Sequence, residues 1–371
     1  MINLKIEGWR SVSHSYALVN QFQMLAFIKE KLAGIEHIDY PFILPHWSNT
    51  QNSAGFNQSD ENILNELSFI SPAQYIYKIY APLELKADPL LPTTTFVVTE
   101  LGLDDNKHPI GFADEYKSMG GKIHTPSHWS KRRLIECGVP DDIIHVIAHA
   151  ADNSYFFPLE KSEIDINRTN MGFGTDDVVL LNVGTHHWNK GLDVLLKAFA
   201  IARQFNPNLK LLLKDQRSTY LMNSEDYVSN ILSEYSITDS NLIASIKLIS
   251  GHLNLAQLNT LYNIADAYVT PYRAEGFNLP ALEAQKCGTP VVATLGGATD
   301  DFLSGPGYFA IEGDLFENIT LKEHMPINAY IEPNHDQLVS ILSKIERKHT
   351  VLRDKNKFNW SDACHQILNL M

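Results

Sequence analysis

The chain has 371 residues, with 44% hydrophobic and 20% charged side chains, an ordinary soluble composition with room for two domains that each bury a core. A formal net charge of -13 argues against nucleic acid as the main partner and leaves at most peripheral association with an anionic membrane. Three widely spaced cysteines, Cys137, Cys287 and Cys364, form no metal-binding spacing and read as reduced thiols of a cytoplasmic protein.

The amino-terminal "MINLKIEGWR" has no apolar leader region, and no stretch approaches the roughly 18 consecutive apolar residues of a spanning helix. "INLKIE" alternates and predicts a first strand. "GWRSVSHS" is a loop led by Gly8, and "YALVNQFQMLAFIKEKLA" has helical apolar spacing, so the chain opens as a βα unit. "TTFVVTEL" predicts a strand, and "GGKIHTPSHWSKRRLIECGVP" a strand, a Ser127 cap and a helix stopped at Gly138. Lys131-Arg132-Arg133 within that helix reads as a solvated face. "IIHVIAHAAD" predicts a further buried strand.

Between about Asn153 and Asp177 no period is sustained, which suits a linker. Alternation then resumes: "VVLLNVG", "LKLLLKD", "AYVTPY" and "PVVAT" as strands, with "GLDVLLKAFAIARQF", "LAQLNTLYNIA" and "LPALEAQKCG" as helices. Short apolar strands between amphipathic helices predict parallel sheets covered on both faces. The expected fold is therefore α/β, with two Rossmann-like doubly wound domains facing across a cleft. The boundaries are 1–155, a linker over 156–176, a second domain over 177–355 and a terminal helix over 356–371. In such sheets ligands sit at the carboxyl ends of the strands.

Three loops there carry candidate chemistry. In "VGTHHWNKGLDVLLKAF", Gly184 permits a tight turn, while Lys190 and the helix amino end suit an anion. Taken alone, the better reading is a turn and a solvated lysine. Lys214 closes the strand "LKLLLKD", a position where a charge also serves solubility. "EGFNLPALEAQKCGTPVVAT" is more specific. Pro280 fits the first helical position, which leaves the N–H groups of Phe277, Asn278 and Leu279 for a phosphate or sugar oxygen. Glu283 is placed to accept hydrogen bonds from a vicinal diol, and Glu275 to orient sugar hydroxyls. Both glutamates also complement a helix dipole, but that does not account for the whole loop-helix unit.

That unit resembles the E-x7-E signature of retaining nucleotide-sugar glycosyltransferases of the family-four, or group 1, type. "SGHLNLAQLNTLYNIADAYVTPY" is similar to that family's base-binding region, and "NVGTHHWNKGLDVLLKAFA" to its diphosphate loop. "TPSHWSKRRLIECGVPDDIIHVIAHAADNSYFFP" resembles the end of its first domain, with "HAAD" where "HGVD" is usual. The match runs from about Phe96 to Leu303, and "FNWSDACHQIL" is similar to the terminal helix that packs near the first domain.

The resemblance implies the GT-B architecture, with Glu283 on the nucleotide ribose and Glu275, Gly276, Phe277, Asn278 and Leu279 at the donor sugar. Gly184, Thr185, Lys190 and Lys214 would serve the diphosphate, and His252 and Leu253 would flank the base. Many relatives carry arginine where Thr185 stands, which leaves Lys214 to supply the second charge. Glu100, after "TTFVVT", resembles a glutamate of one subgroup; orienting the acceptor, acting as base and capping the strand remain equally open for it. His14, His108 and His149 are further candidates on the acceptor side, although lone histidines are more often structural.

The expected activity is transfer of a hexose-type sugar from a nucleoside-diphosphate sugar to a glycan, protein or lipid-linked hydroxyl. Glu275, Lys190, Lys214 and Glu100 would be the catalytic residues. No metal and no cofactor are expected, UDP is the default base by family frequency, and polysaccharide biosynthesis is the expected setting. A non-catalytic partner subunit on the same fold, or another nucleotide-sugar enzyme such as an epimerase, remains an alternative. The absence of GxGxxG after the first strand disfavours a dehydrogenase.

Overall fold

The computed structural model describes residues 2–48, 55–67, 72–104, 107–109, 111–221, 223–320, 326–348 and 358–371. The boundary drawn at 355/356 lies outside these residues. Two compact units emerge: Met1–Asp152 with Glu317–Ala329 and Lys357–Met371, and Asn153–Phe316 with Tyr330–Asn356. Each holds one six-stranded parallel sheet among the described residues.

The first sheet is built from β1 (Ile2–Gly8), β2 (Ala33–Asp39), β3 (Tyr75–Ile79), β4 (Thr93–Phe96), β5 (Lys122–Thr125) and β6 (Ile144–Val146). Their spatial order is β2-β1-β3-β4-β5-β6, with every neighbouring pair parallel. The helix Ser15–Lys29 follows β1, opened by His14, whose Nδ1 accepts from the Tyr16 N–H at 3.1 Å. It is buried on nearly every side, apolar Ala17, Phe22, Met24 and Phe27 together with polar Asn20, Gln21 and Gln23. Part of that covering comes from the terminal helix Trp360–Leu368, where Trp360 stacks on Phe22 with ring centroids 5.5 Å apart. The predicted Ser127 cap is in place, with its side chain accepting from the Ser130 N–H at 3.0 Å.

The second sheet consists of β7 (Val178–Val183), β8 (Leu209–Lys214), β9 (Ile246–Ile249), β10 (Ala267–Thr270), β11 (Val291–Thr294) and β12 (Tyr308–Ile311). Its order is β12-β11-β10-β7-β8-β9, again all parallel. Apolar side chains of one face of this sheet, among them Leu180, Leu211, Val269 and Val292, form a continuous core with Leu195 and Phe199 of the helix Leu192–Phe205 and with the helix His335–Lys344.

The segment 156–176, expected as a linker, contains a ten-residue helix, Lys161–Asn170, that groups with the second unit. It lacks an apolar stripe because a charge anchors it. Buried Arg168 donates to the Ile264 carbonyl at 2.7 Å and to Asp266 Oδ2 at 3.0 Å. A two-stranded ribbon, β13 (Gly313–Thr320) with β14 (Pro326–Pro333), was not foreseen in the sequence. The three cysteines are buried thiols, outside any disulfide. No helix of the described residues is long and apolar enough to cross a membrane.

Candidate functional site

In the second sheet the chain reverses its direction of growth between β7 and β10, and at such switch points the loops leaving the carboxyl ends open a crevice. The loops after β7 and β10 are those that carry Lys190 and Glu275. Gly184 closes β7 and donates its N–H to the Lys214 carbonyl at 3.0 Å, with Thr185 partly exposed beside it. The chain then makes a single turn, Trp188–Lys190, and enters the helix Leu192–Phe205 through Gly191 in the left-handed conformation, φ 69°. A Cβ at Gly191 would stand 1.9 Å from the Pro271 carbonyl oxygen, so the absence of a side chain lets the two loops touch.

They are joined closely. Asn189 accepts at its carbonyl from the N–H groups of Arg273 and Ala274, at 2.7 and 3.2 Å. Its side-chain amide donates to the Ala274 carbonyl at 3.0 Å. Beyond these bonds Lys190 Nζ meets Glu275 Oε2 at 2.8 Å, with both side chains largely shielded from solvent. The lysine expected at a diphosphate and the glutamate expected at a sugar are therefore an ion pair.

The helix Leu279–Lys286 begins at Asn278, which holds the left-handed conformation with φ 73°. Its side chain accepts from the Ala281 N–H at 3.2 Å and donates to Thr270 Oγ1 at 3.0 Å, which pins the helix start to the end of β10. Pro280 stands one position further into the helix than expected, an offset within the ordinary blur of helix ends. Phe277 turns its ring inward against Phe302, centroids 4.9 Å apart. Glu283, one turn further on, is 4% exposed and accepts from the Tyr262 hydroxyl at 2.6 Å. Burial raises its carboxyl to about 7, with the Tyr262 hydrogen bond pulling the other way. Fully buried Tyr268 lies within electrostatic reach of both Glu275 and Glu283, and the two charges help to raise its phenol.

Lys214 ends β8 almost wholly buried, its amine donating to the Asp215 carbonyl. Burial lowers its affinity for the proton, and the Asp215 charge partly restores it. The Asp215 carboxylate accepts from the Ser250 hydroxyl at 2.9 Å. His252 and Leu253 lie in the loop between β9 and the helix Leu255–Ile264. Partial desolvation and the nearby Lys214 charge both lower the His252 imidazole.

In the first unit Glu100 lies beyond the end of β4, where its carbonyl accepts from Trp129 Nε1 at 2.8 Å. Its carboxylate acts electrostatically on His14 and Tyr16, which joins two of the sequence candidates. Burial brings the His14 imidazole down to about 4, although Glu100 opposes this. His149 is buried against Phe96 and Trp360 and held well below its ordinary value, a core position. His108 packs against Phe112 with centroids 5.1 Å apart.

Several residues of this region were missed in the sequence. Tyr262 sits in an ordinary helical pattern, and Arg273 looks like a charge at a strand end. His186 resembles any loop histidine, yet it is 3% exposed and stacked on Tyr227, with neither ring nitrogen partnered among the described residues. Among the described residues no group of three or more His, Cys, Asp or Glu side chains is placed to hold a metal ion.

Residues 163–304 match the family described as glycosyl transferases group 1. Mannosylfructose-phosphate synthase of Agrobacterium fabrum is 27% identical over 235 residues, 62% of this chain and 47% of that protein. D-inositol 3-phosphate glycosyltransferase of Segniliparus rotundus is 31% identical over 166 residues, 44% of this chain and 35% of that protein. The chain thus spans about half or less of the length of these curated relatives. Among solved structures, HepE of Anabaena in complex with UDP and glucose superposes with a TM-score of 0.64 at 13% identity, covering 100% of this chain and 99% of that one. Sucrose-phosphate synthase of Thermosynechococcus elongatus gives 0.63 at 15% identity, covering 100% and 98%. At such identities these two show the shared two-sheet GT-B fold.

Proposed function

We propose, from the match of residues 163–304 to the group 1 glycosyl transferases, that the chain belongs to that family and transfers a hexose from a nucleoside-diphosphate sugar to an acceptor hydroxyl, with retention of anomeric configuration and without a metal ion. One observation carries the proposal. Lys190 and Glu275 meet at 2.8 Å at the switch point of the second sheet, and the Glu283–Tyr262 pair shares Tyr268 with them. A cation, a sugar-orienting carboxylate and a diol-binding carboxylate are the groups a nucleotide sugar requires.

Cleaving the bond between sugar and diphosphate develops negative charge on the leaving phosphate and positive charge on the anomeric carbon. Positive charge fixed in advance beside the leaving group is the strongest lever on that step. In this proposal Lys190 exchanges Glu275 for the diphosphate, and Glu275 turns to the sugar hydroxyls. Lys214 and the amino end of the helix Leu192–Phe205 add to the same field. A charge-assisted hydrogen bond is worth about 1.5–3 kcal/mol, and each ~1.4 kcal/mol is tenfold in rate.

The Anabaena neighbour contains UDP and glucose, which supports UDP as the first base to test. The acceptor is proposed as a glycan, protein or lipid-linked hydroxyl presented by the first unit, with Glu100 beside it, and polysaccharide assembly in the cytoplasm as the setting. The test is calorimetric titration of UDP, GDP and ADP into the wild-type protein and Glu283→Ala without added metal. Micromolar binding of one nucleotide, lost in the variant, is the expected result. A folded wild-type protein that takes up none of the three would overturn the proposal.

A further inference from the structure

Arg273 follows β10 by three residues, precedes Glu275 by two and is 5% exposed. A guanidinium has five N–H donors in a rigid fork, and here all five have acceptors. Nη1 and Nη2 each donate to one oxygen of Asp193, both at 2.8 Å. Nε and Nη2 donate to the two oxygens of Glu332 at 2.6 and 2.9 Å. Nη1 also donates to the Trp188 carbonyl at 2.9 Å, and the cation lies over the Trp188 ring, 4.7 Å from its centroid.

The three acceptors come from three places in the chain. Trp188 opens the turn that carries Lys190, and Asp193 stands in the first turn of the helix behind it. Glu332 belongs to β14 of the ribbon, 59 residues from Arg273. The backbone repeats the pattern: the Arg273 carbonyl accepts from the Ile331 N–H at 2.8 Å, and its N–H donates to Asn189 at 2.7 Å. Tyr330 packs edge-on against Trp188, centroids 4.9 Å apart, and Phe316 stacks on Tyr330 at 5.0 Å. The ribbon base therefore grips the turn by charge and by aromatic contact.

We infer that Arg273 is a positioning residue for the donor site, holding the turn that carries Lys190 against the loop that carries Glu275 and making the ribbon base, through Glu332, part of that site. A buried guanidinium between two carboxylates is weak evidence for stability, because desolvation offsets much of the attraction. What it does supply is geometry: from the loop of Glu275, three directed bonds reach the Lys190 turn and its helix, and two reach the ribbon. A lysine has the charge without the fork and cannot reproduce them.

The inference rests on the proposed reading of the site, so the test has two readouts. The first is turnover of UDP-glucose beside UDP affinity in Asp193→Asn, Glu332→Gln and the double variant. Misplacing Lys190 is expected to lower kcat about 10- to 100-fold and to weaken UDP, whose diphosphate the same amine holds, by a smaller factor, since a small displacement of a catalytic group is felt most in the rate. Because both carboxylates act through one arginine, the double variant should be no worse than the poorer single variant. An unchanged kcat, or losses that multiply, would overturn the inference.

The second readout needs no donor. Acylation of the Lys190 amine, followed by mass spectrometry, should be slow in the wild type and faster in Arg273→Lys and in Glu332→Gln. Equal rates in folded variants overturn the positioning role. A wild type that binds none of UDP, GDP and ADP while Lys190 becomes reactive in the variants would overturn the transferase reading and leave the positioning role standing.

Discussion

The two units have sheets of equal size and different order, and they use the carboxyl ends of their strands differently. In the second, the order β12-β11-β10-β7-β8-β9 puts the switch point between β7 and β10, and the loops there carry opposite charges in contact. In the first, β2-β1-β3-β4-β5-β6 puts it between β1 and β3, and the side chains gathered beyond β1 are aromatic. Trp9, His14 and Trp47 pack with centroids 5.2 to 5.5 Å apart, Glu100 acts on His14, and Arg10, next to Trp9, spends its charge on Asp39 at 2.8 Å. The lesson is that a switch point provides a crevice, while the residues on its loops decide what the crevice can hold.

Removing charge should therefore separate the units most sharply. Lys190→Ala is expected to lower kcat for transfer by ~100- to 1000-fold, the range seen when one preorganised donor to a developing anion is lost. Glu100→Gln, as the loss of one hydrogen bond that orients the acceptor, should cost about tenfold and act on acceptor KM. Steady-state kinetics with donor and acceptor varied separately checks both, and a larger loss at Glu100 would reverse the comparison.

Next in size is a steric contrast. Gly191→Ala drives a Cβ to 1.9 Å from a backbone oxygen at φ 69°, whereas Gly8→Ala at the end of β1 meets Asn20, Ile79 and the Ile79 carbonyl at 2.8 Å. The first should cost roughly 3–5 kcal/mol and the second about 1–3 kcal/mol, the ranges for backbone strain and for overpacking. Denaturant unfolding measures both.

A last contrast is the sign of the pH dependence of two buried groups, one in each unit. Glu283 titrates at about 7 in the folded second unit against 4.5 in the unfolded chain, so the folded form holds the extra proton between those values. Its ionisation costs stability as pH rises through that window, by roughly 3 kcal/mol in all. Glu283→Gln should remove the slope, and Tyr262→Phe should carry it to higher pH by deleting the hydrogen bond that lowers the carboxyl. His124, buried in the first unit, is lowered from 6.5 to about 4 chiefly by burial, despite its bond to the Ile147 carbonyl. There the unfolded chain takes the proton first, and stability is lost as pH falls from about 6.5 towards 4. Hydrogen exchange followed in β10 and in β4 against pH should show these opposite slopes, and the same slope in both would refute the assignment.

Much of the second unit was legible because its strands are short apolar runs and its helices have regular stripes. β7, β8, β10 and β11 all lie where "VVLLNVG", "LKLLLKD", "AYVTPY" and "PVVAT" placed them. The first unit was harder to read, since β2 and β3 mix polar with apolar residues and β6 has only three residues. The helix Lys161–Asn170 escaped because its anchor, Arg168, is a charge that local sequence marks as exposed.

By itself the sequence determined the α/β class, the two sheets and the positions of Glu275, Glu283 and Lys190, because hydrophobic period and local spacing are properties of short windows. Tertiary structure alone decided that Lys190 would face Glu275 and that Tyr262 would hold Glu283 in a buried site where its carboxyl rises to about 7. It alone decided, too, that Arg273 would spend five donors on residues as far away as Glu332. Desolvation and long-range pairing depend on what the rest of the chain brings near a group, which no short window contains.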